Sequence, residues 1–330
     1  MNKRRFIDVM TVVSCLAVVM LHTNNVFLQH PSGVLLWKTA FWHELFIFGA
    51  PAFFMISGAT LMEYRERYDT LTFFKKRFRR AVVPFVLWSL IAFGVHAIMA
   101  GGTSLKELAL LPLKICSCDY LSIYWFFMAI FMGYLFMPVM SLMAGRMKLI
   151  AYVLSVWFAI ESLYPFVFHN LGLSTCSRLS FPFVGGAVFY MLLGYWLFKA
   201  EFGRRTRLFI YALGVGVFGL CFCRDVFHLP RLAGGGYWSP LCIIYSAAVF
   251  LWLRNRDYSR MFKWLSAVID WIKPHTLAIY LMHGFVTDIA APALNLPIGA
   301  FWYRMILPFV LIFACAAVAR GVRRFEGLKV

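Results

Sequence analysis

His22 closes the apolar run VVMLH and is followed at once by Thr23, Asn24 and Asn25. Imidazole is the side chain that most readily takes up and returns a proton near neutral pH. Placed beside hydroxyl and amide groups, it can draw the proton from an alcohol and act as a general base. Arg77 and Arg80 stand in FFKKRFRR, where five of the six residues from 75 to 80 are basic. Three residues apart, they share a helix face. Paired guanidinium groups bind phosphate oxygens through bidentate hydrogen bonds. The plainer reading of this run is an anchor on anionic lipid headgroups.

Other ionisable residues interrupt apolar sequence, where a charge is costly and so is a functional candidate. Asp8 can cap a helix start or pair with Arg4 or Arg5. Glu161 fits a buried hydrogen bond as well as a functional role. His43 and Glu44 fit an interfacial position, and Asp288 and Arg304 are placed to pair with each other. His96 and His283, the latter in IYLMHGF, suit packing as readily as catalysis.

The elements that carry these groups follow from composition. Of 330 residues, 62% are hydrophobic and 14% charged. A water-soluble fold cannot hide that much apolar surface. The chain is therefore expected to be an all-α, polytopic integral membrane protein, a single domain over 1–330. A lipid-crossing helix needs about 20 apolar residues. Ten spans are predicted, at 7–28, 41–62, 81–99, 122–143, 149–167, 182–199, 207–222, 238–253, 275–294 and 301–320. The first reads as a retained transmembrane helix, since it has no small-residue cleavage pattern.

The net charge of +18 does not point to nucleic acid, because the charges sit in short runs between apolar segments. With the N-terminus inside, 25 of the 32 Lys and Arg fall on the inner side. That bias predicts both termini in the cytoplasm. His22, 14 residues beyond Asp8, is then about 21 Å further along the helix axis, in the outer half of the bilayer. The eight Cys show no spacing suited to a metal. Cys15, Cys242 and Cys315 read as packing residues. Cys116, Cys118, Cys176, Cys221 and Cys223 lie in or near connections, where a disulfide is open to any pairing.

The chain resembles the integral-membrane acyltransferase type 3 family, which O-acetylates bacterial surface glycans. It is most similar to the short, stand-alone members. IDVMTVVSCLAVVMLHTN is similar to the family's first helix, and GAPAFFMISGATLM to its second. FFKKRFRRAVVPFVLWS resembles the basic entry to the third, and YWFFMAIFMGYLFMP the aromatic fourth. GYWLFK and IYLMHGFV match later helices more loosely. At two positions the chain departs from the family pattern: Thr11 and Ile47 stand where arginine is common.

The resemblance implies transfer of an acyl group, usually acetyl, from cytosolic acyl-CoA to a hydroxyl of a glycan or lipid-linked sugar outside the membrane. It implies His22 as the catalytic histidine and Arg77 and Arg80 as contacts for the CoA phosphates. Ser57 and Trp125 fall in family patterns with more structural roles. Asn24, Asn25 or Ser57 can donate to a developing oxyanion. Acyl-CoA would be a co-substrate, with no tightly bound cofactor and no metal. Location in the cytoplasmic (inner) membrane, among its lipids, is implied too. A secondary transporter or flippase, or a catalytically silent scaffold, are the rival readings; repeated halves and broken helix pairs, which a transporter would favour, are not evident.

Overall fold

The structure is a computed structural model, and it describes residues 3–176, 179, 185–229 and 236–327. Among them the chain is helical, with no strand. The helices are α1 (Lys3–Thr23), α2 (Gly33–Phe46), α3 (Gly49–Leu61), α4 (Thr70–Arg77), α5 (Val83–Met99), α6 (Leu105–Cys116), α7 (Trp125–Met140) and α8 (Met147–Trp157). There follow α9 (Tyr164–Asn170), α10 (Gly186–Lys199), α11 (Arg204–Val226), α12 (Pro240–Arg254), α13 (Lys263–Ile272), α14 (Thr276–Gly284), α15 (Ala291–Ala293) and α16 (Leu307–Gly327).

Seven helical stretches among the described residues are long and apolar enough to cross a bilayer: Arg4–Gln29, Gly33–Glu66, Thr70–Met99, Ser122–Met143, Met147–Asn170, Arg204–Val226 and Trp302–Val322. The other three predicted spans are helical but shorter or interrupted. The predicted 182–199 corresponds to α10, with 182–184 outside the described residues. The predicted 238–253 corresponds to the 15-residue α12. The predicted 275–294 is α14, a π-helical turn over Phe285–Ala290, and α15. Two segments read as connections are themselves helices, α6 and α13. Ser104 caps α6 by accepting from the Glu107 amide at 3.1 Å.

The core forms where α3 and α10 cross. α10 is buried on nearly all sides, as expected of a helix that is apolar all round. Gly58 lies against the Met191 backbone and Gly194 against that of Met55; a Cβ at either would come within 2.2 Å of a backbone oxygen. Small residues at such crossings let two helices touch backbone to backbone, which strengthens packing where no hydrophobic drive between helices exists.

The basic connections gather at one end of the bundle. Glu63 accepts from Lys199 at 2.6 Å and from the Tyr195 hydroxyl at 2.8 Å, and that hydroxyl also receives the Gly145 amide at 3.0 Å. Arg65 donates to the Ser141 hydroxyl at 2.8 Å. Arg254 pairs with Glu201 at 2.9 Å, and Arg5 with Asp270. Phe6 links these groups by packing on Phe198 and Phe250. Asp69, between this end and α4, caps that helix through the Leu71 and Thr72 amides. Hydrogen bonds from Thr72 hold its carboxyl below the usual carboxylate range.

α16 runs antiparallel to α1. Its side-chain packing joins Ile312, Cys315 and Ala316 to Cys15 and Val19. Near the other end, the Asn24 side chain donates to the Arg304 carbonyl. Both ends of the described chain therefore lie at the basic end of the bundle, and His22 lies toward the opposite end.

Candidate active site

His22 is the penultimate residue of α1, half-buried. Its ring meets that of His283 edge-on, with centroids 5.1 Å apart. His283 is fully buried on α14. Its Nδ1 lies 3.1 Å from the Ile279 carbonyl, and its Nε2 has no hydrogen-bond partner among the described residues. One helical turn earlier, Tyr280 brings its ring to 5.5 Å from His283.

Two reciprocal bonds fix this arrangement. The Tyr280 hydroxyl donates to the Ile123 carbonyl at 2.6 Å, and the Tyr124 hydroxyl to the Leu281 carbonyl at 2.8 Å. They tie α14 to the start of α7. Gly284 permits the close approach, since a Cβ there would meet Ile123 at 2.2 Å. Rings in series thus run from Phe126 through Tyr280 and His283 to His22.

A cavity stands at each end of this series. One, of about 460 Å³, is lined by His22, with Asn25, Gln29, Asp288, Asn295 and Tyr303 among its other walls. The second, of about 250 Å³, is lined by Arg77, Arg80, Thr11, Ser57, Tyr134 and Tyr280, among others. Tyr280 borders the second and His22 the first, while His283 touches both rings and lines neither.

The second cavity is electropositive. Arg77 lies beside the rings of Phe73 and Tyr134, at 5.7 and 5.8 Å from their centroids. Its Nε is buried with no hydrogen-bond partner among the described residues. Two hydroxyls at its wall are turned back onto their own helices: Thr11 donates to the Ile7 carbonyl at 2.7 Å and Ser57 to that of Phe53 at 2.9 Å. The charged donors at this wall are the guanidinium groups.

The remaining sequence candidates lie apart from both cavities. Asp8 sits at the basic end, paired with Lys273 and, at 4.0 Å, with Arg5. Asn24 is buried and bonds the carbonyls of Met20 and Arg304 at 2.9 and 3.2 Å, joining α1 to the last helical segment. Trp125 stacks on Tyr237 at 5.3 Å. Glu161 borders a separate cavity with His169 and Trp238. His96 holds the Tyr120 carbonyl at 2.9 Å.

One expectation needs correction, and one residue gains a partner. Glu44 is buried, and Arg224 from α11 reaches it at 3.2 Å. It faces a third cavity that Ile47 and Arg224 also line. Asp288 and Arg304 do not pair with each other. Asp288 accepts from the Thr287 hydroxyl at 2.7 Å and borders the His22 cavity. Arg304 donates to the Gly299 carbonyl at 3.2 Å. All eight thiols are free, and Arg178 and Arg231 lie outside the described residues.

Tyr280 and Tyr303 are cavity residues that sequence reasoning missed, and Asp288, read there as a partner for Arg304, is a cavity residue too. Among the described residues, four stretches have π-helical hydrogen bonding: Phe78–Val82, Phe158–Leu163, Phe285–Ala290 and Trp302–Ile306. They carry Arg80, Glu161, Asp288 and Arg304 respectively. Such wider turns are often found at functional sites. No pattern in the sequence marks them. Tyr280 was within reach, since it stands three residues before His283 and so on the same helix face.

A family model described as an acyltransferase domain matches residues 4–320. The chain belongs to the acyltransferase type 3 family. No curated protein and no solved structure matches it. The acyltransferase match takes in His22, Arg77, Arg80 and His283 alike. Together with the seven long apolar helices, it makes the chain a multi-pass membrane acyltransferase.

Proposed function

We propose that this acyltransferase moves an acyl group, acetyl in the simplest case, from cytosolic acyl-CoA to a hydroxyl of a glycan or related acceptor outside the membrane. In this reading the basic end faces the cytoplasm of a cell with an inner membrane, and both termini lie there. The observation that carries the proposal is the pair of cavities at opposite ends of the Tyr280–His283–His22 ring series. One offers cations for a phosphorylated donor, and the other offers a histidine to an alcohol.

Acyl-CoA enters as co-substrate, with no tightly bound cofactor. Its anionic groups meet Arg77 and Arg80, and its thin arm carries the thioester toward Tyr280. His22 takes the proton from the acceptor hydroxyl as the oxygen forms its bond to the thioester carbon. Collapse of the tetrahedral intermediate breaks the carbon–sulfur bond. The leaving thiolate, a much weaker base than an alkoxide, then takes the proton back from the imidazolium. General-base assistance of this kind contributes about 10²–10⁴-fold. His283 bears on the reaction through its contact with His22, as a positioning residue.

Acetyl transfer from labelled acetyl-CoA to cell-surface glycan tests the reading with a His22→Ala variant. Transfer is expected to fall by about 10²–10⁴-fold while CoA binding persists. Undiminished transfer by a well-folded variant would sink the mechanism. Uptake of solute independent of acyl-CoA would instead favour a transporter.

A further inference from the structure

The His22 cavity has a distinct chemical character. Its volume of about 460 Å³ falls within the range of small-molecule sites. The amides of Asn25, Gln29 and Asn295 and the hydroxyl of Tyr303 stand along its wall with His22. Amides and hydroxyls both donate and accept hydrogen bonds, which suits a ligand dense in hydroxyl groups.

Among the described lining residues the only carboxylate is Asp288, and there is no lysine or arginine. One Asp288 oxygen takes the Thr287 hydroxyl at 2.7 Å, and the other has no hydrogen-bond partner among the described residues. Arg304 is not the partner of this carboxylate. It turns to the Gly299 carbonyl and forms no ion pair with Asp288. The other titratable neighbours are His22, His283 and the phenols of Tyr124, Tyr280 and Tyr303.

We propose that this cavity takes a sugar that is neutral or carries an amine, and that Asp288 is the residue that selects against acidic sugars. The proposal rests on the acyl-transfer reading in treating this as the acceptor side. A hydroxyl or ammonium group can donate to the second oxygen of Asp288. A uronate carboxylate would lie beside a like charge with no cation to meet it. In a partly enclosed cavity such repulsion is several times stronger than in open water.

The test uses the full chain in lipid nanodiscs and matched probes: glucose against glucuronate, galactose against galacturonate, and glucosamine. Binding is read by saturation-transfer NMR. Glucose, galactose and glucosamine are expected to bind, with each uronate weaker than its neutral partner by about tenfold or more. Asp288→Asn should bring the ratio close to one, whereas Asp288→Glu should preserve it, which separates loss of charge from loss of fold. Uronates binding as well as their neutral partners, no sugar binding at all, or an unchanged ratio in Asp288→Asn would each overturn the proposal.

Acetyl transfer from acetyl-CoA by the native chain and by His22→Ala is measured alongside. Discrimination in binding without His22-dependent transfer would remove the acyl-transfer reading and leave the sugar selectivity standing. His22-dependent transfer without discrimination would do the reverse.

Discussion

His22 and His283 are both histidines in apolar helices, yet only His22 borders open space. In the proposed mechanism that difference gives His22 the proton-transfer role and His283 a positioning role. The donor side invites an equally local prediction. Replacing Arg77 or Arg80 with Gln should weaken CoA binding by roughly ten- to a hundredfold, from the loss of about 1.5–3 kcal/mol in charge-assisted hydrogen bonding. Calorimetry with CoA measures it. Lysine should restore only part of the loss, since an ammonium cannot reproduce the bidentate fork. Unchanged affinity in both Gln variants would return the basic run to a role as a lipid anchor.

At the scale of elements, the crossing of α3 and α10 is the feature most sensitive to a single carbon. A Cβ at Gly58 would lie 1.8 Å from the Met191 carbonyl oxygen. Backbone cannot step aside as a side chain can. Gly58→Ala should therefore lower stability by about 1–3 kcal/mol or more, seen as a lower melting temperature in detergent. Gly94 on α5 provides the contrast, since nothing lies within 4 Å of its Cβ position. Gly94→Ala should be neutral or raise stability by up to about 1 kcal/mol, because alanine is the better helix former. Equal melting temperatures for the two variants would contradict the close crossing. The join between α14 and α7 is a second such element. Tyr280→Phe removes its bond to Ile123, with an expected cost of about 0.5–1.5 kcal/mol by the same measurement.

For the whole molecule, the proposed orientation makes a simple prediction. Cys116 and Cys176 are exposed free thiols in connections assigned to the outer side. A membrane-impermeant maleimide added to intact spheroplasts should label both. Cysteine placed at exposed Arg204 should react only after the membrane is opened. The opposite pattern would invert the chain in the membrane and put the His22 cavity on the cytoplasmic side.

Much of the class and architecture was legible without coordinates, for physical reasons specific to membranes. Lipid cannot satisfy backbone polar groups, so long apolar runs must be helices. The basic residues of the connections marked one end of the bundle, and Arg-x-x-Arg at 77–80 needed only helix periodicity to share a face. The sequence by itself thus determined an all-helical membrane protein, its clustered basic end and a histidine near the far end of its first helix. Only the tertiary structure decided that His22 meets His283, that Arg224 reaches Glu44, and that Asp288 turns to the His22 cavity instead of pairing with Arg304. Those neighbours come from segments far apart in the chain. Asp288 sits on a π-helical turn, and Gly284 permits the close approach beside His283; hydrophobic periodicity carries no record of either.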